Sequence, residues 1–329
     1  MVKSIKRLIK KILKRLLLIP DKKDLTIFDW LQKYGLSQAR NYWETTPRAG
    51  VASQWVSNPI IEESINKRMS GGETQKYWLA WLIEDFFACQ KFDRLLSIGC
   101  GIGNHEVIIA KLGLAKHIDA FDFSDASLEI ARKNADLAGV SINFYQDDFN
   151  NFQIAEDLKY DVVFCSGSLH HVKEIERFMS IVHQSLKPEG YLIVNEYVGD
   201  CYNIYSQHQV DLINRLYNCF PDELKSGKME TFINPTLKQV FEADPSEAVR
   251  SKLILPLLAE YFEMEVFNPL GGAILHPMYP LLDHSQFLPG DAKGEAIIRL
   301  LLEFENILME LPGGLQTDFC LSILRPKDI

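Results

Sequence analysis

From residue 93 onward, short apolar runs alternate with stretches of helical period, and turn residues follow each run. Residues 94–98, 117–123, 142–146, 160–165 and 191–196 read as five strands. Residues 105–112, 125–138 and 175–186 read as the helices between them. The run at 160–165 is apolar almost without interruption, as a strand buried on both faces requires. Pro188 and Gly190 suit the turn into the fifth strand. This alternation predicts an α/β fold with a mostly parallel sheet and helices on both faces. Residues 263–267 and 319–324 have strand character and read as the last two strands, with 275–312 inserted between them.

The flanks follow other patterns. Ile5, Leu8, Ile9, Ile12, Leu16 and Ile19 recur at helical spacing while Lys and Arg fill the opposite face, so 3–19 predicts a basic amphipathic helix stopped by Pro20. Such a helix suits an anionic membrane surface or a partner. Residues 25–90 read as helical and hold all five tryptophans, with Gly71-Gly72 between helices at 60–69 and 74–87. Residues 200–260 read as mostly helical, broken by Pro221, Gly227, Pro235 and Pro245. Five segments result: the basic helix 1–20, a helical lid segment 21–90, a core 91–199, a lid insertion 200–260, and the last strands with their insertion at 261–329.

The chain has 329 residues, 47% hydrophobic and 24% charged, which places it among globular proteins and excludes disorder and coiled coil. Its net charge is −9, yet residues 1–20 carry seven basic side chains and no acid, which leaves 28 basic against 44 acidic residues elsewhere, a net −16. So acidic a body argues against a nucleic-acid-coating role. No apolar run approaches the ~20 residues that cross a bilayer, and no signal-peptide pattern is present. The six cysteines are scattered without a CxxC pair, which points to reduced thiols in the cytoplasm, with 3–19 as a contact to the inner face of the membrane, and to no zinc. No metal constellation is expected.

The chemistry concentrates at the strand ends. Gly99-Cys100-Gly101-Ile102-Gly103 closes the first strand and opens a helix, so its backbone can approach a ligand closely. The spacing is GxGxG; a dinucleotide fingerprint would need glycine where Asn104 stands. Asp122 ends the second strand, placed to accept from ribose hydroxyls. Asp148 follows the third strand with Phe149 beside it, suited to an adenine amino group and ring. Ser166 closes the fourth strand on the same edge.

As a set, Ser97–Gly103, Phe121-Asp122-Phe123-Ser124, Asp147-Asp148-Phe149, Tyr160–Val163, Leu169-His170-His171-Val172 and Leu186–Gly190 resemble the class I S-adenosylmethionine-dependent methyltransferases. The resemblance covers about residues 93–198. It implies a Rossmann-like seven-stranded sheet with an antiparallel last strand, and S-adenosylmethionine as cofactor. It places Gly99, Gly101 and Gly103, with Cys100, at the methionine part, Asp122 with Phe123 at the ribose, and Asp148 with Phe149 at the adenine. Asn66–Gly71, Glu196–Gly199 and Asp244–Ser251 resemble bacterial methyltransferases associated with sugar and glycan building.

Methyl transfer to a hydroxyl needs alignment and a base for the proton. His170 and His171 follow the fourth strand and suit that role, His170 preferred. Glu196 is a second base, an acceptor for a sugar hydroxyl, or a buried partner for Arg250. Arg68, Tyr197 and His276 are weaker substrate candidates, and His105 reads as a plain helix residue. The reading that results is a methyltransferase acting on a hydroxyl, less readily an amine, of a small polar, sugar-containing or lipid-linked glycan substrate. A nucleotide-dependent oxidoreductase is disfavoured by the missing third glycine. A non-catalytic partner subunit is disfavoured by the intact loop and both carboxylates.

Overall fold

The computed structural model describes residues 54–72 and 76–329. The expected basic helix at 3–19, with Trp30 and Trp43, lies outside the described residues.

The seven strands are β1 (Phe92–Ile98), β2 (Ala115–Asp122), β3 (Asn143–Gln146), β4 (Tyr160–Ser166), β5 (Leu186–Tyr197), β6 (Phe262–Gly271) and β7 (Phe319–Pro326). They form one sheet in the order β3-β2-β1-β4-β5-β7-β6. The first five pair in parallel, whereas β7 is antiparallel to both β5 and β6. The sheet is therefore mixed, with its antiparallel part confined to one edge. All seven expected strands are present. β5 begins four residues before Gly190, with a register irregularity opposite Tyr160 and Val162 absorbing the expected turn.

Among the described residues, eight main helices accompany the sheet: α1 (Pro59–Met69), α2 (Asn104–Leu112), α3 (Asp125–Ala138), α4 (Ile175–Ser185), α5 (Gln207–Tyr217), α6 (Leu237–Ala243), α7 (Ile254–Tyr261) and α8 (Ala292–Glu310). Asn58 caps α1 by accepting from Ile60 and Ile61 N–H groups, with Pro59 at the first helical position. Ser124 caps α3 and Gly139 ends it in the left-handed region.

Two helical expectations change. The helix expected at 74–87 is a single turn, Trp78–Trp81, continued by a wider π turn, Leu82–Phe86. Residues 200–260 hold three short helices and 3-10 turns rather than a mostly helical insertion, because the prolines and Gly227 interrupt backbone hydrogen bonding.

Leu95, Val162, Phe164, Ile193 and Ile323 from the sheet share one buried cluster with Ile61, Leu79, Tyr217, Ile274 and Leu301. Described residues of the flanking segments therefore pack on this face of the sheet as part of its core. The opposite face buries Phe121, Val163, Phe178, Leu192 and Leu258. No described helix is long and apolar enough to cross a membrane.

Candidate active site

A cavity of about 530 Å³ opens where β1, β2, β4 and β5 end, the edge at which open α/β sheets take ligands. The glycine loop forms its floor. Gly99 has φ +74°, and a Cβ there would lie 2.4 Å from the Cβ of Ser168, so only glycine lets β1 turn beneath the loop after β4. Gly101 has φ +52° and nothing within 4 Å of an added Cβ, which leaves its backbone open to a ligand.

Asp122 is fixed to that loop: its Oδ2 accepts from Gly101 N–H at 2.8 Å and its Oδ1 from Ser124 N–H at 2.9 Å. Burial pushes the carboxyl up, and those backbone donors counter part of the shift. Phe123 N–H acts on the carboxylate as a third backbone donor, and the group keeps acceptor capacity for a ribose hydroxyl. Asp148 accepts from Asn150 N–H at 2.9 Å and Asn151 Nδ2 at 2.8 Å. Cys100, Phe123, Phe149 and Ser166 also line the cavity, so eight of the nine expected cofactor residues border it; Gly103 instead supports the loop, its φ +75° bringing it against Ala131. The donor set and the open backbone at Gly101 fit a nucleoside with an amino-acid tail.

Beyond the loop after β4 the histidines converge with β5. Glu196 is buried, and four donors meet its carboxylate. Its Oε2 accepts from Ser168 N–H at 2.8 Å and Leu169 N–H at 2.6 Å, and its Oε1 from Tyr197 N–H at 2.8 Å and from His170 Nδ1. Burial opposes a charge on His170, but Glu196, with Glu247 and Asp244 behind it, raises the imidazole to about 9. The Nε2 of His170 lies 3.8 Å from Glu247 Oε1. His171 is a different case. Its Nδ1 meets Ser246 O at 3.0 Å and Ser246 Oγ at 3.1 Å, and burial, then the neighbouring His170 charge, lowers it.

Several expectations need correction. Arg250 does not pair with Glu196; it binds Glu176 Oε2 at 2.6 Å on the surface. Arg68 does not face the cavity, because its guanidinium donates to Leu270 O at 2.8 Å and Asn306 Oδ1 at 2.5 Å. His276 stands behind the cavity wall, bonded to Tyr205 OH at 3.2 Å, and burial lowers it to about 4. The hydroxyl of Tyr197 is committed to Asp200 O at 2.9 Å, so only its body borders the cavity. The expectation of no metal constellation also changes, since the fold brings ligand atoms of His170, His171 and Glu247 within 4.8 Å of one another.

Other lining residues escaped the sequence reading: Asn104, His105, Asn150, Ser246 and Phe319. His105 packs edge-on against Trp78 and Phe164 at 5.5 and 6.0 Å, and burial lowers it to about 4. Among the described tryptophans all three are buried in the core, and Trp55 also borders the cavity.

Residues 90–243 match the family model described as a methyltransferase domain. The chain is 34% identical over 106 residues to a ubiquinone biosynthesis O-methyltransferase of Pasteurella multocida, covering 30% of this chain and 43% of that protein. It is 24% identical over 168 residues to a malonyl-[acyl-carrier protein] O-methyltransferase of Calditerrivibrio nitroreducens, covering 51% and 56%. The chain thus spans about half the length of these curated relatives. A solved S-adenosylmethionine-dependent methyltransferase from Mesorhizobium loti aligns at 17% identity and TM-score 0.43, over 75% of this chain and 96% of that one.

Proposed function

We propose that this protein is an S-adenosylmethionine-dependent methyltransferase acting on a hydroxyl of a small molecule. The observation that carries the reading is the joining, in one cavity, of the Asp122-held glycine loop to the His170–Glu196 pair. The matched methyltransferase domain over 90–243 and the O-methyltransferase relatives support it.

The glycine loop and Asp122 would hold S-adenosylmethionine, which would supply an electrophilic methyl group for the acceptor oxygen, with the sulfur as leaving group. The chain's own work is positioning and proton transfer. Glu196 holds His170 by Nδ1 and fixes the ring, which leaves Nε2, 3.8 Å from Glu247, as the nitrogen that takes the hydroxyl proton. His171, held by Ser246, orients the neighbouring loop. Residues 54–72 and Ser246 from the lid insertion close over this end, which favours a small acceptor over a polymer surface.

A sugar-containing or lipid-linked glycan acceptor is the second reading, supported by the likeness of 66–71, 196–199 and 244–251 to glycan-associated methyltransferases. The basic stretch 3–19 supports contact with an anionic membrane surface at the cytoplasmic side. The reading is tested by incubating the protein with methyl-labelled S-adenosylmethionine and a panel of hydroxylated small molecules. Release of S-adenosylhomocysteine together with label on an acceptor oxygen is the expected result. No transfer to any panel member by protein that binds the cofactor would remove the hydroxyl assignment.

A further inference from the structure

We infer that the acceptor is a phenol: a flat aromatic body carrying the hydroxyl that is methylated. The inference rests on the methyltransferase reading and adds the substrate class. Its basis is the wall of the cavity around His170. Trp55, Phe319 and Tyr197 form a continuous aromatic surface there, with Trp55–Phe319 and Tyr197–Phe319 ring centroids 5.3 and 5.2 Å apart. Met69, Ile65 and Leu270 extend it. The surface is built deliberately: at Gly272, with φ +92°, a Cβ would lie 2.5 Å from the Phe319 ring and 3.2 Å from Trp55, so a side chain there would push the wall apart.

Much of the acceptor capacity beside His170 is already engaged. Glu196 accepts four hydrogen bonds, filling both lone pairs of each oxygen. Asn195 Nδ2 donates to Ser166 Oγ at 3.0 Å, and Ser246 Oγ donates to Asp244 Oδ1 at 2.6 Å. A sugar ring brings several hydroxyls that need partners once desolvated, and Glu196, the buried carboxylate beside His170, has no lone pair left for them. An aromatic body needs none and gains by covering the rings.

The test uses the full chain saturated with S-adenosylhomocysteine and two probes, 2-naphthol and methyl β-D-glucopyranoside, in calorimetric titration, with turnover on S-adenosylmethionine in parallel. 2-Naphthol is expected to bind at least tenfold more tightly than the glucoside and to be methylated on oxygen. Trp55→Leu should weaken naphthol binding at least fivefold with S-adenosylhomocysteine affinity within twofold of the parent; Phe319→Leu gives the same reading if the first variant folds poorly. Preference for the glucoside, or no binding of either probe by protein that holds S-adenosylhomocysteine, overturns the phenol assignment and leaves the methyltransferase reading standing. Failure to bind S-adenosylhomocysteine overturns both.

Discussion

Glu196, at the end of β5, grips His170 by Nδ1 across 26 residues of chain, and the far nitrogen of the same imidazole faces Glu247 at 3.8 Å. A histidine flanked by two carboxylates is held in one orientation and favours its proton, which raises it to about 9 against the opposing effect of burial. Both properties bear on catalysis.

The raised histidine gives a pH prediction. A base must be neutral to accept a proton, so activity should rise with pH along a limb whose midpoint lies well above 6.5 and approaches 9. Glu196→Gln removes the charge that sustains this value. The limb should move toward 6.5 while the plateau rate falls ~10²-fold or more, with S-adenosylhomocysteine affinity nearly unchanged. His170→Asn should cost as much and abolish the limb; His171→Asn should cost less and leave its midpoint in place. An unmoved limb in Glu196→Gln would show that another group titrates.

The glycine loop separates packing from binding. Gly99→Ala meets Ser168 at 2.4 Å and a left-handed φ, so it should lower stability by ~1–3 kcal/mol. At Gly101 a Cβ meets nothing, so Gly101→Ala should cost only ~1 kcal/mol for its backbone conformation while weakening S-adenosylhomocysteine by tenfold or more. Thermal unfolding and calorimetry on the two variants check the contrast.

Glu106 gives a stability prediction with a definite sign. It is buried beside Ser97, whose Oγ donates to it at 2.6 Å, while its other oxygen has no partner. Burial raises the carboxyl to about 7 from an ordinary 4.5. A raised pKa contributes stability that is complete below about 4.5 and is lost as pH rises through 7. Glu106→Gln should therefore stabilise the fold at pH 8 by ~1–3 kcal/mol and by much less at pH 5. Urea unfolding at the two pH values measures the difference.

Deletion of residues 1–20 removes seven basic side chains. Sedimentation with phosphatidylserine vesicles should be lost, and cofactor affinity kept. Equal sedimentation of both forms would reject the membrane reading.

The strands and the residues that border the cavity at their ends were legible because their signals are local. Apolar runs ending in Gly99, Asp122, Asp148 and Ser166 declare both the element and its functional end. Beyond His170, His171, Glu196 and Tyr197, the rest of the lining at that end was not legible, because its parts come from remote segments. Trp55, Ser246, Leu270 and Phe319 meet only through the pairing of β7 with β5 and β6 and the return of the lid insertion. Arg68 and His276 misled for the same reason: their partners, Leu270 O with Asn306 and Tyr205, lie 202, 238 and 71 residues away. His105 reads as an ordinary helix position until Trp78 and Phe164 are seen around it.

Binding of S-adenosylmethionine in this cavity through the loop fastened to Asp122 is measured by calorimetric titration of S-adenosylhomocysteine into the parent protein and Asp122→Ala. The account predicts saturable binding at one site per chain, with the variant at least ~1.4 kcal/mol, or tenfold, weaker. Absence of binding to the folded parent, or equal affinity in the two proteins, would contradict it.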